Sequence, residues 1–248
     1  MTAAPSLGRR ALAEFIGTAF LLIAVIGSGI AASRLSPHDV GLELFENAVA
    51  TGAGLASIIL MVGAVSGAHL NPVISLVDRA LRGLSTRETL TYVAAQCSGA
   101  ALGAVIANLM FGEPAVTISA KARSGSGLWL GEVVATFGLI LLVFAMVRSG
   151  RARAAPFAIG AYIAAAYFFT SSTSFANPAV TLARTLSDTF AGIAPASVAG
   201  FVVAQAAGAV LAFAGIRVLF PRPEDPESVR APGPPTMDTS LRDKGPAS

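Results

Sequence analysis

The chain has 248 residues, 54% hydrophobic and only 12% charged, with a net charge of +3 and a mean hydropathy of +0.70, whereas an average soluble domain carries about 25% charged residues. Nine of its charged residues lie after Phe220, so residues 1–220 are poorer still in charge, and an ordinary water-soluble globule is excluded. An isoelectric point near 9.5 is not matched by any basic run or face, which excludes nucleic acid as a partner, and the lone Cys97 has no partner for an internal disulfide.

Residues 1–10 form a short N-terminal stretch. Beyond it, six apolar segments reach the roughly 20 residues needed to cross about 30 Å of hydrocarbon. They run from Ala11 to Ala32, Glu43 to Ala64, Glu88 to Phe111, Leu128 to Val147, Pro156 to Ser172 and Ala196 to Phe220. The first follows Arg9 and Arg10 like a signal peptide, but its apolar run is too long for a signal core of 7 to 15 residues. Two further stretches, Leu70 to Leu81 and Phe175 to Leu186, are too short to cross, and each carries Asn-Pro near its start. Asparagine caps helices and proline suits the first helical position, so each is predicted to be a short helix. Residues 221–248 hold seven of the fourteen prolines and no aromatic residue, a composition that predicts a disordered tail.

Basic residues sort by side once six spans are assumed. Thirteen lie on the side that holds both termini and four, Arg34, Lys121, Arg123 and Arg184, on the other. The positive-inside rule then places both termini in the cytoplasm.

The chain also repeats itself. Glu14 and Thr18 are echoed by Glu132 and Thr136, Asn71-Pro72 by Asn177-Pro178, and Gln96 with Gly99 by Gln205 with Gly208, in one order and at offsets of 118, 106 and 109 residues. The repeats are residues 11–112 and 128–220, joined by a loop over 113–127. Each holds three spans and one short helix. Because three is odd, the second copy enters the membrane from the opposite side, which makes the pair an inverted repeat. The expected fold is an all-α membrane protein of six transmembrane helices and two re-entrant half-helices whose N-termini meet near the midplane. Non-helical backbone at that depth is tolerated only when buried in protein or lining a water-filled cavity. The half-helix N-termini bring positive dipole ends there, and Asn71 and Asn177 add amide donors. Such a station suits a neutral oxygen-bearing solute and repels cations and hopping protons.

These residues resemble the aquaporin and glycerol-facilitator family across residues 11 to 220. Asn71-Pro72-Val73 and Asn177-Pro178-Ala179 are similar to its paired Asn-Pro-Ala signatures, and Glu14, Gln96, Glu132 and Gln205 to the motifs around them. The resemblance implies a passive channel for small uncharged solutes, a homotetramer with one pore per subunit, and a place in the lipid bilayer of the cell (inner) membrane. Val73 stands where alanine is usual. More consequential is Val180, which stands where the family's outer constriction usually carries arginine; a shorter apolar side chain implies a wider neck, fewer fixed donors and no permanent charge. Arg184 is not expected to replace that arginine, being a helical turn further toward the outside. The resemblance assigns Thr51 and Ser174 to the same constriction. Counting from Gly160 adds Tyr167, while counting back from Asn177 adds Ala165; the helical anchor favours Tyr167. Bacterial members with valine at this place accompany arsenic-resistance genes and pass trivalent arsenic hydroxide, which extends the implied solutes from water and glycerol to neutral metalloid hydroxides.

Glu14 and Glu132 would each cost about 2.5 to 3.5 kcal/mol at a helix centre, so both need partners, expected in the re-entrant loops. His69 is expected to orient the first loop or line the pore, since His38 is the only other histidine and no metal cluster is available. Gly63 with Gly67 and Gly99 with Gly103 have the GxxxG spacing of close helix contacts. A secondary transporter is the alternative, because inverted repeats also build midplane binding sites, although an ion-coupled one would place carboxylates there. No nucleophile and base, and no metal motif, supports an enzyme, and no cofactor is implied.

Overall fold

A computed structural model of the chain describes residues 5–221, so the tail expectation falls outside the described residues except for Pro221. Eight helices follow in order: α1 (Leu7–Leu35), α2 (Val40–Ser66), α3 (Pro72–Ala80), α4 (Thr86–Met110), α5 (Ser126–Arg148), α6 (Ala155–Phe169), α7 (Pro178–Ala183) and α8 (Pro195–Leu219). Six of these, all but α3 and α7, are long and apolar enough to cross a membrane, α6 together with the 3-10 turn Ala152–Ala154 that leads into it.

The helix limits follow local chemistry. The Asp39 side chain accepts the Leu42 N–H at 3.0 Å, so α2 starts three residues before the apolar run at Glu43. Ser85 and Glu88 form a capping box, each side chain accepting the other's backbone N–H, which sets the start of α4. The fifth span departs from expectation at its end: α6 stops at Phe169 rather than Ser172, because Thr170 turns extended and its hydroxyl bonds back to the Ala166 carbonyl at 2.7 Å. The short helices are also trimmed, since Leu70 and Ala176 adopt left-handed backbone and no helix can include them. α7 continues as a 3-10 turn over Arg184–Leu186.

Burial is distributed as a lipid solvent requires. Phe20, Leu60, Leu90, Leu130, Phe157 and Val210, one on each long helix, are exposed, while Glu14, Thr18, Gln96, Glu132, Thr136 and Gln205 are sealed inside. A water-soluble bundle would invert that arrangement.

Small residues let the helices approach. A Cβ on Gly99 or Gly103 of α4 would overlap the Phe15 or Ala19 carbonyl oxygen of α1. Gly208 of α8 meets the Val133 carbonyl of α5 in the same way, and both members of that contact are the repeat counterparts of Gly99 and Phe15. Where α2 and α6 cross, Gly52 and Gly160 each rest on the other's carbonyl oxygen. These two also occupy equivalent positions, so the pseudo-twofold axis passes through their contact. The other GxxxG pair behaves differently: Gly67 is the left-handed cap of α2, at φ +87°, and Gly63 touches nothing closer than 3.9 Å. That spacing marks a helix end, not a helix contact.

Gly99→Val should destabilise the fold by about 3 kcal/mol or more, the upper range of overpacking costs, because the opposing atom is backbone and cannot swing away. Gly8→Ala, in open space, should stay within about 0.5 kcal/mol of the parent. Monodispersity after a heating series in detergent would distinguish the two.

Candidate functional site

Two carboxylates organise the centre. Glu14 and Glu132 are each 0% exposed. Glu14 accepts the backbone N–H of His69 at 2.9 Å and of Leu70 at 2.6 Å, the Ser66 hydroxyl at 2.6 Å and the Gln96 amide at 2.8 Å. Glu132 accepts the N–H of Phe175 at 2.8 Å and of Ala176 at 2.9 Å, and the Gln205 amide at 2.6 Å. The same glutamine nitrogens bond Ser75 at 3.0 Å and Thr181 at 2.8 Å. Ser75 and Thr181 share the 106-residue offset of the asparagines and were therefore findable from the repeat, although sequence reasoning passed over them.

The loops so anchored are conformationally matched. Ala68 and Leu70 have φ of 49° and 53°; Ser174 and Ala176, their equivalents, have 50° and 48°. Each left-handed non-glycine residue costs on the order of 1–3 kcal/mol, which the charge-assisted bonds to the glutamates offset. A trans peptide places N–H and C=O on opposite sides. The bonds to Glu14 and Glu132 therefore turn the carbonyls of Ala68, His69, Ser174 and Phe175 away from the glutamates, toward the cavity these residues line.

At the midplane the asparagines cross. Asn71 donates its amide to the Ala176 carbonyl at 2.7 Å, and Asn177 donates to the Leu70 carbonyl at 2.8 Å. Each side-chain oxygen caps its own half-helix, Asn71 accepting from Val73 at 3.1 Å and Asn177 from Ala179 at 3.0 Å and Val180 at 3.3 Å. Every amide has two hydrogens, so one on each asparagine remains for the cavity that both line. Pro72 and Pro178 sit in the first helical turn. Val73 and Ala179 are buried in the core rather than on the cavity wall.

That cavity is about 560 Å³ and runs past mostly aliphatic side chains from Arg153 to Arg184. His69 lies on its wall, with Nδ1 3.1 Å from the Ser75 hydroxyl and its ring edge-on to Tyr92. Toward the other end, Thr51, Tyr167, Ser174 and Val180 share the lining. The Tyr167 hydroxyl donates to Thr51 Oγ1 at 3.3 Å within that lining, while Ala165 is exposed on another face of α6. The Ser174 hydroxyl is buried without a partner among the described residues. Glu14 and Glu132 are absent from the wall; both are committed to the loops.

Arg184 does line this cavity, which sequence distance from Val180 did not indicate. Beyond it, the segment over residues 190–192 collects cations: Lys121 donates to the Phe190 carbonyl at 2.8 Å, Arg123 to the Gly192 carbonyl at 2.8 Å, and Arg184 Nε to the Ala191 carbonyl. Burial, followed by the nearby Arg123 and Arg184 charges, lowers the Lys121 amine from 10.5 to about 8.

The family description "Major intrinsic protein" matches residues 1–176. The chain belongs to the major intrinsic protein family. It is 48% identical over 213 residues to the aquaglyceroporin AqpS of Rhizobium meliloti (strain 1021), covering 86% of this chain and 91% of that relative. A glycerol uptake facilitator protein of Pseudomonas aeruginosa is 31% identical, with 92% and 97% covered. The X-ray structure of the aquaglyceroporin from Plasmodium falciparum superposes with a TM-score of 0.66 at 19% identity, over 86% of this chain and 96% of that one, a likeness of fold. This member of the family is a multi-pass membrane channel for small neutral solutes.

Removing the Glu132 carboxylate in Glu132→Ala orphans three donors, so a loss of roughly 3 kcal/mol or more is expected from the 1–3 kcal/mol per stranded buried group, read as lost solute flux and lower thermal stability in detergent. Lys121 offers a pH test. Its nucleophilic, uncharged form should appear as pH rises through about 8, so acylation by a membrane-impermeant reagent followed by mass spectrometry should titrate near there. An ordinary lysine would titrate nearer 10.5.

Proposed function

We propose that the chain is a wide facilitator pore for neutral, oxygen-rich solutes of about glycerol size, including trivalent arsenic hydroxide, and that it excludes protons and ions. The observation that carries this reading is Val180: directly after the second signature, the cavity wall presents a short apolar side chain among Thr51, Tyr167 and Ser174. A neck without a bulky cation at that level admits a solute broader than water. Hydroxyls of Thr51, Tyr167 and Ser174 and the carbonyls turned toward the cavity supply the hydrogen bonds that a polyol or a trihydroxide loses on leaving water. The relatives named as an aquaglyceroporin and a glycerol uptake facilitator support the same size class.

Proton exclusion rests on the midplane. Two asparagine amides and two helix N-termini present donors and positive dipole ends on one level, which orients a passing water or solute oxygen toward them and disfavours a cation. The basic-residue asymmetry supports cytoplasmic termini in the inner membrane, and the lipid-facing apolar surface leaves room for the homotetramer that the family resemblance implies.

The test is a flux panel in purified-protein liposomes using water, glycerol, urea and arsenic(III) hydroxide. Val180→Arg should lower glycerol and arsenic hydroxide flux by about tenfold, equivalent to roughly 1.4 kcal/mol at the barrier, while water flux persists. Unchanged flux of both larger solutes would overturn the assignment of Val180 to the neck. A proton current comparable to solute flux would overturn the exclusion.

A further inference from the structure

The charge missing at position 180 has a counterpart one turn further out. Arg184 is 2% exposed and lines the same cavity as Val180, Tyr167 and Ser174. It stands four residues after Val180, where α7 tightens into a 3-10 turn, and a four-residue helical step keeps both side chains on one face. Its Nε is fixed on the Ala191 carbonyl. Its guanidinium lies 3.4 Å from the centre of the Phe175 ring, and the Phe175 N–H is held by Glu132. The charge is thus positioned by the same scaffold that positions the second half-helix.

Among the described residues no carboxylate pairs with it directly, and its two Nη groups have no hydrogen-bond partner. Arg123 adds a second guanidinium 5.1 Å from the same ring, and no carboxylate lines the cavity. A buried guanidinium held by one nitrogen and one aromatic face keeps four donor hydrogens for whatever occupies the cavity.

We infer that Arg184 is the charge-selective and hydrogen-bond-donating residue of the outer neck. Steric selection and charge selection are then carried at two levels, the first at Val180 and the second at Arg184. The solutes favoured are neutral molecules with two or more acceptor oxygens, which the planar fork can bind together, and small cations are turned away before they reach the apolar level. This assignment rests on the wide-pore reading above and adds to it the residue that keeps a wide pore selective.

The experiment compares the full-length native chain, Arg184→Gln and Arg184→Lys in liposomes, measuring glycerol flux and methylammonium uptake at mildly acidic pH. Arg184→Gln should raise methylammonium uptake by at least about tenfold, the lower range for electrostatic focusing in a cleft, while Arg184→Lys holds it at the native level. Glycerol flux should fall in both, because a lysine keeps the charge without the fork. Methylammonium uptake by Arg184→Gln no higher than native overturns the assignment. If Arg184→Gln does not insert as monodisperse protein, Arg184→Lys decides: reduced glycerol flux with native cation exclusion supports the assignment, and native glycerol flux overturns it. A native chain that passes no glycerol overturns the wide-pore reading, and the methylammonium comparison still judges the charge assignment.

Discussion

Backbone that is neither helix nor strand has to find its hydrogen bonds inside the membrane, and here two carboxylates supply them. Glu14 and Glu132 each accept two consecutive N–H groups from the segment that leads into a half-helix, and each is itself steadied by a glutamine. Everything at the midplane depends on this exchange. It holds the left-handed residues in place, turns the adjacent carbonyls toward the cavity and delivers the two asparagines to one level. An alanine at either position would leave the loop with several unpaired donors in a medium that offers no substitute.

Much of this was legible in the sequence because the physics involved is local or periodic. Apolar runs reveal spans, Asn-Pro marks a capped helix start, and a glutamate within an apolar run announces that a partner exists. The repeat then supplies the partner by register, since Ser75 and Thr181 keep the offset of Asn71 and Asn177. Tyr167 could be chosen over Ala165 because a helix has a fixed rotation per residue, whereas the length of a loop says nothing about direction.

The remainder was hidden for equally physical reasons. Ala68, Leu70, Ser174 and Ala176 are not residues that favour left-handed backbone, and bonds to the glutamates, to Ser66 and Ser172 and to the opposite asparagine hold the loops there. Gly67 shared the spacing of a helix-packing pair, yet its conformation makes it a terminus. Arg184 was set apart from the neck by its distance along the chain; a four-residue helical step returns to the face of Val180, and the side chain reaches the cavity. The cation cluster over residues 190–192 depends on carbonyls from a loop with no sequence signature of its own.

The reciprocal asparagine bonds carry a mechanical meaning. Asn71 reaches a carbonyl in the second repeat and Asn177 one in the first, so each loop is pinned by the half-helix of the other. A shift of either half-helix along the pore would break both bonds at once and pull against two buried glutamates. The duplicated halves are therefore riveted at their meeting point, and the bore at that level is set when the two repeats fold together, not adjusted by either of them alone.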